Sequence, residues 1–143
     1  MITWTYPPAP RPGVGALVIH DGAVLLVRRG RPPGRGLWAL PGGKVMLGET
    51  LRQAAEREVK EETGILIEAG EPFYVFDFIE RDDESRVVYH YVIVDIQCEY
   101  REGEPRPGDD ADDARWVTES ELSGLAVSQP TLNLLELVRF GRM

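Results

Sequence analysis

Residues 43–65 read GKVMLGETLRQAAEREVKEETGI and carry the clearest structural signal in the chain. Thr50, followed three residues later by Gln53, matches a capping box, in which each side chain satisfies a free backbone N–H group at a helix start. Gly64 suits the left-handed position that often follows a helix end. The stretch therefore predicts a helix over Leu51–Thr63, preceded by a loop that contains glycine.

This helix would carry acidic side chains on its buried side. At about 100° per residue, Glu58, Glu61 and Glu62 fall within one arc of about 100°. Ala54 and Ala55 fall on the same face, which is the face that a helix buries against a sheet. The opposite side, which we expect to face solvent, carries Arg52, Glu56, Lys60 and Thr63.

Three carboxylates that point inwards need a partner. They repel one another and lose hydration, so only a cation or protonation makes the arrangement tolerable. The stretch offers oxygen ligands and contains no cysteine or histidine. Such ligands suit a hard cation, Mg²⁺ or Mn²⁺, rather than zinc. The sequence thus predicts a site for divalent cations.

The segments on either side read as strands. Five of them, rich in β-branched and aromatic residues or placed beside turns, are residues 14–19, 23–28, 73–80, 87–100 and 114–117. The first two flank the turn Asp21-Gly22 and predict a hairpin, and the third and fourth predict another around the charged turn RDDES. Between the last two strands, residues 101–113 read as an acidic loop.

Helical segments complete the pattern. A short helical turn is predicted at Glu119–Leu122, and a last helix is predicted to begin at Ser128 as its cap. The buried stripe expected for this last helix is Leu132, Leu135 and Val138. Strands and helices alternate without the regular rhythm of βαβ units, so we expect an α/β (α+β) fold with a mixed sheet flanked by helices.

Composition predicts one domain in the cytoplasm. With 143 residues, of which 43% are hydrophobic and 28% charged, we expect a single domain over residues 1–143. The single cysteine, Cys98, excludes an internal disulfide and a zinc site of cysteine pairs, which favours a reducing cytoplasm. Residues 1–13 lack the features of a secretion signal, and no stretch approaches the ~20 apolar residues that span a bilayer.

The net charge restricts the partners. A formal net charge of −8 should repel nucleic acids and acidic membranes, so we expect neither as a partner. If the substrate carries phosphates, cations must bring it to an acidic protein, which favours a metal-dependent site.

The chain resembles the Nudix hydrolases. Every position of the family's box, G-x5-E-x7-R-E-U-x-E-E-x-G-U with U a bulky aliphatic residue, is matched here by Gly43, Glu49, Arg57, Glu58, Val59, Glu61, Glu62, Gly64 and Ile65. The preceding WALPGG and the strand at residues 23–28 are similar too. The resemblance covers at least residues 14–65 and implies the Nudix-type α/β/α sandwich.

The resemblance implies a pyrophosphohydrolase that depends on Mg²⁺, with Mn²⁺ as a substitute. Water would cut a phosphoanhydride bond in a nucleoside diphosphate linked to a further group. Arg57 would hold a glutamate by a bidentate ion pair, and Glu49 would support the loop or the metal shell. The implied metal ligands are the backbone carbonyl of Gly42 and the side chains of Glu58, Glu61 and Glu62.

The general base has two candidates under this resemblance. One is Glu58, the first glutamate of the box's Arg-Glu pair. The other is an acid from a separate loop, for which Asp110, six residues before Trp116, is the first choice and Asp113 the competing one.

Substrate contacts are expected beside the glycine loop. The basic concentration there consists of Arg28, Arg29, Arg31 and Arg35, and together with Gly43 and Glu49 it is expected to meet substrate phosphates. Trp38, Tyr74 and Tyr91 either stack on a base or belong to the core. His20 and His90 are expected to be structural.

The substrate stays open at this point. The chain looks most similar to the small bacterial ADP-ribose pyrophosphatases and nucleoside triphosphate pyrophosphohydrolases, and the expected partner is a small nucleotide. A homodimer is neither predicted nor excluded. The alternative function is a nucleotide-sensing or RNA-binding module without turnover. Loss of a box glutamate would mark such a module, and the box here is intact.

Overall fold

The computed structural model describes residues 5–142. The first four residues and Met143 lie outside the described part. The segment 1–13, predicted to lack the features of a secretion signal, is therefore described only from residue 5. In chain order the elements are β1 (Arg11–His20), β2 (Ala23–Arg29), β3 (Trp38–Ala39), β4 (Gly42–Lys44), α1 (Leu51–Thr63), β5 (Leu66–Arg81), β6 (Val87–Glu102), β7 (Ala111–Thr118), α2 (Glu119–Leu122) and α3 (Gln129–Leu137). None of the helices within residues 5–142 is long and apolar enough to cross a membrane.

Helix α1 occupies the predicted residues. The hydroxyl of Thr50 accepts a hydrogen bond from the backbone N–H of Gln53 at 3.1 Å, and the Gln53 side chain accepts one from the Thr50 N–H at 2.9 Å. Gly64 has φ +74°, and its N–H donates to the carbonyl of Lys60. The two sequence signals that predicted the helix ends are therefore the contacts that form them.

The sheet is mixed, as predicted. Within the described residues its strand order is β3-β2-β1-β6-β5, with β4 paired to β1 and β7 paired to β2. Strands β1 and β6 run parallel, whereas the other pairs are antiparallel. Both predicted hairpins, β1–β2 and β5–β6, are present.

Helices cover both faces of this sheet. Along β1, Val14 and Ala16 pack in the cluster that contains the buried face of α1. Leu17 points the other way, into the cluster that contains Leu134 of α3. Because successive residues of a strand face opposite sides, α1 and α3 lie on opposite faces, and the predicted α/β/α sandwich is confirmed.

The strands are longer than the sequence predicted. Strand β5 begins at Leu66 instead of residue 73, and the predicted loop 101–113 shrinks to residues 103–110. Residues 66–69 alternate between exposed and buried positions, but Gly70 and Pro72, which are typical of turns, follow directly in the sequence. Register shifts lie around Pro72. Pairing with β6 along its whole length nevertheless keeps this part in the sheet.

Two predictions about helix faces were wrong. Thr63 is buried, not solvent-facing, because its hydroxyl bonds the Val59 carbonyl and the segment after β6 covers it, with Arg106 N–H donating to the Thr63 carbonyl. In α3, Leu132 is exposed, and the buried residues are Thr131, Leu134 and Leu135.

A polar contact explains the orientation of α3. The Thr131 hydroxyl accepts hydrogen bonds from Ser128 and from the Leu40 N–H, which turns Thr131 towards the sheet. Ser128 occupies the predicted N-cap position, yet its hydroxyl bonds Thr131 and makes no capping bond to the backbone.

Replacement of Gly64 by alanine should destabilise the protein by about 1–2 kcal/mol, the cost of a left-handed residue with a Cβ. A Cβ there would meet nothing closer than 3.9 Å, so the loss would come from the backbone conformation alone. Gly124→Ala is the matched control, because Gly124 is not in the left-handed region and its Cβ would make an ordinary contact at 3.6 Å. Urea denaturation measures both; equal free energies of unfolding for the two variants would contradict the assignment.

Candidate active site

Strand β4 and helix α1 meet without intervening side chains. A Cβ on Gly43 would lie 2.4 Å from Oε2 of Glu58, so only glycine lets the strand approach this carboxylate. Glu58 is 2% exposed, and within residues 5–142 no group forms a hydrogen bond with its buried Oε2. The chain therefore places a carboxylate oxygen without a protein partner against a backbone that lacks a side chain.

Arg57 links the acidic side chains on this side of α1. Its guanidinium binds Glu49 through two hydrogen bonds, of 2.6 and 2.9 Å. Nη1 also donates to Glu58 at 2.6 Å and to Glu61 at 3.3 Å, and Nη2 donates to the Lys44 carbonyl at 2.9 Å. The bond from Arg57 lowers the pKa of Glu49, and Glu49 in turn raises the pKa of Arg57. The bidentate pair expected for Arg57 is thus present, with Glu49 as the partner.

Glu62 lies one helical turn further along α1 and contacts the preceding residue of β4. It is 6% exposed, and its Oε1 accepts a hydrogen bond from the Gly42 N–H at 2.9 Å. Burial, followed by repulsion from Glu58, raises the pKa of Glu62 to about 8. Burial also raises the pKa of Glu58 to about 7, although its bond to Arg57 acts in the opposite direction.

Glu61 differs from its two neighbours. Its side chain is 44% exposed, so it lies at the rim of the cluster instead of inside it. Within residues 5–142, no group of three or more histidine, cysteine or acidic side chains already stands at metal-binding geometry. The helical wheel correctly predicted the burial of Glu58 and Glu62 but not the exposure of Glu61.

A cleft of about 400 Å³ opens beside the glycine strand. It runs from β4 across β1 to the face formed by β5 and β6, and the start of α3 forms another wall. We call this space the cleft; its walls include Gly15, Gly43, Phe76, Tyr91, Asp95 and Gln129.

A second, smaller cavity of about 30 Å³ joins the acidic cluster to the loop before β7. Gly42, Glu62 and Asp110 line it together. Asp110 bonds Arg31 Nε at 2.7 Å. The competing candidate, Asp113, lies 3.9 Å from Arg115 and does not line this cavity. The structure therefore brings Asp110, rather than Asp113, to the cavity that Glu62 lines.

The arginines separate into different environments. Arg29 lines both the cleft and the small cavity, and its Nε donates to the Pro33 carbonyl at 2.6 Å. Arg28 is its neighbour on β2 and lies over the Trp38 ring at 5.9 Å. Arg35 is exposed, and neither Arg28 nor Arg35 lines either space. Of the four arginines predicted to lie near substrate phosphates, Arg29 lines both spaces and Arg31 lines the small cavity. Arg28 faces away from Arg29 because consecutive strand residues point to opposite sides.

The aromatic candidates divide in a similar way. Trp38 is buried in the core cluster on the α3 side, and Tyr74 packs against the same cluster. Tyr91 lines the cleft. His20 packs against the Tyr100 ring at 4.4 Å, which agrees with a structural role.

Sequence reasoning missed the far wall of the cleft. Phe76, Phe78 and Asp95 line it, and none of them was predicted as a site residue. A signal existed for Asp95, because it is the only acidic residue between Val87 and Gln97 in a strand otherwise rich in β-branched and aromatic residues. Its position beside β1 depends on the sheet order, which local patterns do not specify.

Comparison with known proteins agrees with this architecture. Residues 9–135 match the family model described as the NUDIX domain. An ADP-ribose pyrophosphatase of Methanocaldococcus jannaschii is 35% identical over 117 residues, which cover 82% of this chain and 67% of that protein. A second relative, from Bacillus subtilis, is 28% identical, and the match spans 61% of its length.

Solved structures show the same fold. A MutT NUDIX hydrolase from Burkholderia pseudomallei superposes with a TM-score of 0.78 at 33% identity, covering 91% of this chain and 98% of that one. The NUDIX domain of Shewanella oneidensis NrtR, solved in complex with ADP ribose, gives a TM-score of 0.71 at 26% identity, covering 92% and 87%. The buried glutamates of α1, the glycine strand packed on them and these matches together place the chain in the Nudix hydrolase family.

Proposed function

We propose that this protein hydrolyses the pyrophosphate bond of ADP-ribose or a closely similar nucleoside diphosphate derivative, with Mg²⁺ as its cofactor and Mn²⁺ as a substitute. The observation that carries the proposal is the pair of buried carboxylates, Glu58 and Glu62, packed against the glycine strand that lines the cleft. The relative named as an ADP-ribose pyrophosphatase and the NrtR domain complexed with ADP ribose support this substrate class.

The residues present fit a hard divalent cation. Glu58 Oε2 is buried and lacks a hydrogen-bond partner among residues 5–142, and a Cβ on Gly43 would fill the space next to it. Two neighbouring carboxylates whose pKa values are raised by burial gain from a cation that neutralises them. All the donors are oxygens, as Mg²⁺ and Mn²⁺ prefer.

Under this proposal Glu58, Glu61, Glu62 and the carbonyl of Gly42 would hold the cation. When bound, it would polarise the phosphates and lower the pKa of the attacking water. The exposed position of Glu61 suits a side chain that must reorient to join buried partners. We expect that reorientation to loosen the long bond of 3.3 Å from Arg57 to Glu61 while the two bonds to Glu49 stay.

Arg57 and Glu49 would act as positioning residues. The guanidinium fixes the Glu58 side chain from one side and the Lys44 carbonyl from the other, which orients the helix relative to β4. Glu49 holds the guanidinium by a bidentate ion pair, a geometry that limits rotation. Arg29 and the backbone at Gly43 line the cleft where phosphates would lie, so Arg29 would supply positive charge in an acidic protein.

Two side chains could accept a proton from the attacking water. Glu58 has a buried oxygen facing Gly43, and Asp110 shares the small cavity with Glu62. A general base must lie within hydrogen-bond reach of the water that it activates. The two assignments differ in which variant removes the fall of kcat towards low pH, because that fall reports protonation of the general base. We keep both and separate them by experiment.

A panel of nucleotides assayed with Mg²⁺, with products identified, tests the proposal. ADP-ribose should yield AMP and ribose 5-phosphate, and Glu58→Gln should lower kcat by at least about 100-fold, equivalent to the several kcal/mol expected of a metal-dependent step. Glu80→Gln, the same change at an exposed position of β5, should leave kcat unchanged.

Asp110→Asn discriminates between the two bases, because it should lower kcat comparably to Glu58→Gln only if Asp110 is the base. Binding of ADP-ribose without any product would instead favour a module without turnover. Absence of both binding and turnover for every nucleotide would refute the proposed function.

Stability in EDTA should fall as the pH rises from about 5 to about 8. The folded-state pKa values of Glu62 (about 8) and Glu58 (about 7) lie above the ordinary value of 4.5, so the folded protein holds protons that the unfolded chain has released. Folded-state stability is therefore greatest below the unfolded pKa and is lost as the pH rises through the folded values. Asp95, with a pKa raised to about 7, acts in the same direction.

Saturating Mg²⁺ should raise the melting temperature, and the gain should be larger at pH 8 than at pH 5, because the ion binds the ionised carboxylates of the folded state. Glu62→Gln should reduce the fall seen in EDTA, and Glu61→Gln should weaken the gain from Mg²⁺. Thermal melts followed by circular dichroism measure both effects. Identical melting curves with Mg²⁺ and EDTA at pH 8 would argue against a cation at this site.

A further inference from the structure

Asp95 is a buried acid outside the glutamate cluster. It lies in the middle of β6, is 3% exposed, and forms part of the cleft wall. Parallel pairing places it opposite Gly15 of β1. A Cβ on Gly15 would lie 2.2 Å from Asp95 Oδ1, so the carboxyl group occupies room that only a glycine leaves free.

No cation or hydrogen-bond donor among the described residues compensates the charge of this carboxyl group. Within residues 5–142 nothing donates a hydrogen bond to it, and burial is the single cause that raises its pKa, to about 7. A buried carboxyl group without a hydrogen-bond donor destabilises the folded protein. The destabilisation is reduced when a molecule bound in the cleft donates a hydrogen bond to Asp95.

The surroundings of Asp95 are apolar and aromatic. Phe76, Phe78, Tyr91 and Ile93 line the same part of the cleft. Aromatic walls with few polar groups suit a flat, uncharged ring, and the polar groups then fix its orientation. The volume of about 400 Å³ falls within the range of small-molecule sites, roughly 300–1,000 Å³.

Charge decides which part of a nucleotide can lie here. A carboxyl group repels phosphate, so the phosphates belong at the end of the cleft near Gly43 and Arg29. Asp95 then faces the nucleoside. A carboxylate can only accept hydrogen bonds, which requires an N–H or O–H donor on the bound molecule.

We propose that Asp95 is a specificity-determining residue that accepts a hydrogen bond from the exocyclic amino group of the substrate's nucleobase. The inference rests on the proposed function, because it takes the cleft as the place of the nucleoside. The aromatic walls favour the base over the ribose as the source of the donor.

The test compares three substrates that differ by one donor. They are ADP-ribose, its analogue with hydrogen in place of the adenine amino group, and its 2′-deoxy analogue on the adenosine side. Wild type, Asp95→Ala and Asp95→Asn are assayed at about pH 8, above the raised pKa of Asp95. Kinetics give kcat/KM, calorimetry gives Kd, and thermal melts show that each variant is folded.

Wild type should prefer ADP-ribose to the analogue without the amino group by at least about tenfold in kcat/KM, because a site built for a donor rejects a molecule that lacks it. Asp95→Ala should reduce this ratio to below about threefold by losing activity on ADP-ribose alone. Asp95→Asn should retain most of the preference, since its amide oxygen still accepts. A purely structural role would change all three substrates equally.

Several results would overturn the proposal. A wild-type ratio near one, an unchanged ratio in Asp95→Ala, or a preference that depends on the 2′-hydroxyl would each do so. If wild type binds ADP-ribose but hydrolyses none of the three, the proposed function fails, and the ratio of Kd values still decides the role of Asp95. If hydrolysis is intact but the ratio is unaffected by Asp95, only this inference fails.

Discussion

The Arg57 guanidinium holds together groups that would otherwise repel one another. It contacts Glu49, Glu58 and Glu61, and it binds the Lys44 carbonyl on the neighbouring strand. Without the positive charge of Arg57, the carboxylates that it binds would repel one another. The glycines of the adjacent strand have no side chains that could neutralise them. The interaction therefore fixes three parts of the chain at once: the loop before α1, the helix itself and β4.

The order of strands in the sheet determines which other groups lie near Glu58 and Glu62. Strand β1 lies between β4 and β6, so its glycines separate the acidic cluster from the aromatic part of the cleft. Gly43 allows Glu58 to approach one side of this strand pair, and Gly15 allows Asp95 to approach the other. Two carboxyl groups far apart in sequence thus pack directly against backbone because two strands carry glycine where a side chain would block them.

Local signals predicted both ends of helix α1 correctly and the strands incompletely. The capping box and Gly64 are contacts within a few residues, so the sequence contains them in full. The first part of β5 was missed because Gly70 and Pro72, residues typical of turns, separate it from the clearer strand pattern that follows. The burial of Thr63 depends on the segment that follows β6. The helix sequence alone contains no signal for contacts made by a segment so distant in the chain.

The same distinction between local and long-range contacts applies to the candidate site. Burial of Glu58 and Glu62 follows from helical periodicity, whereas the exposure of Glu61 follows from its place at the rim of the site. Arg28 and Arg29 are neighbours in sequence, yet the register of β2 sends only Arg29 into the cleft. Asp95 could not be assigned because its importance arises from parallel pairing with β1, a contact between strands separated by most of the domain.

Protons compete with the proposed cation for Glu58 and Glu62, because both have raised pKa values. Near neutral pH the pKa values of about 7 and about 8 leave Glu58 and Glu62 partly protonated, so a divalent cation must displace protons to bind. Cation binding and proton release are therefore linked, and affinity should rise with pH until both acids are ionised. Burial raises both pKa values, and the resulting protonation weakens cation binding at low pH. A metal-dependent reaction at this site is therefore coupled to pH independently of the general base.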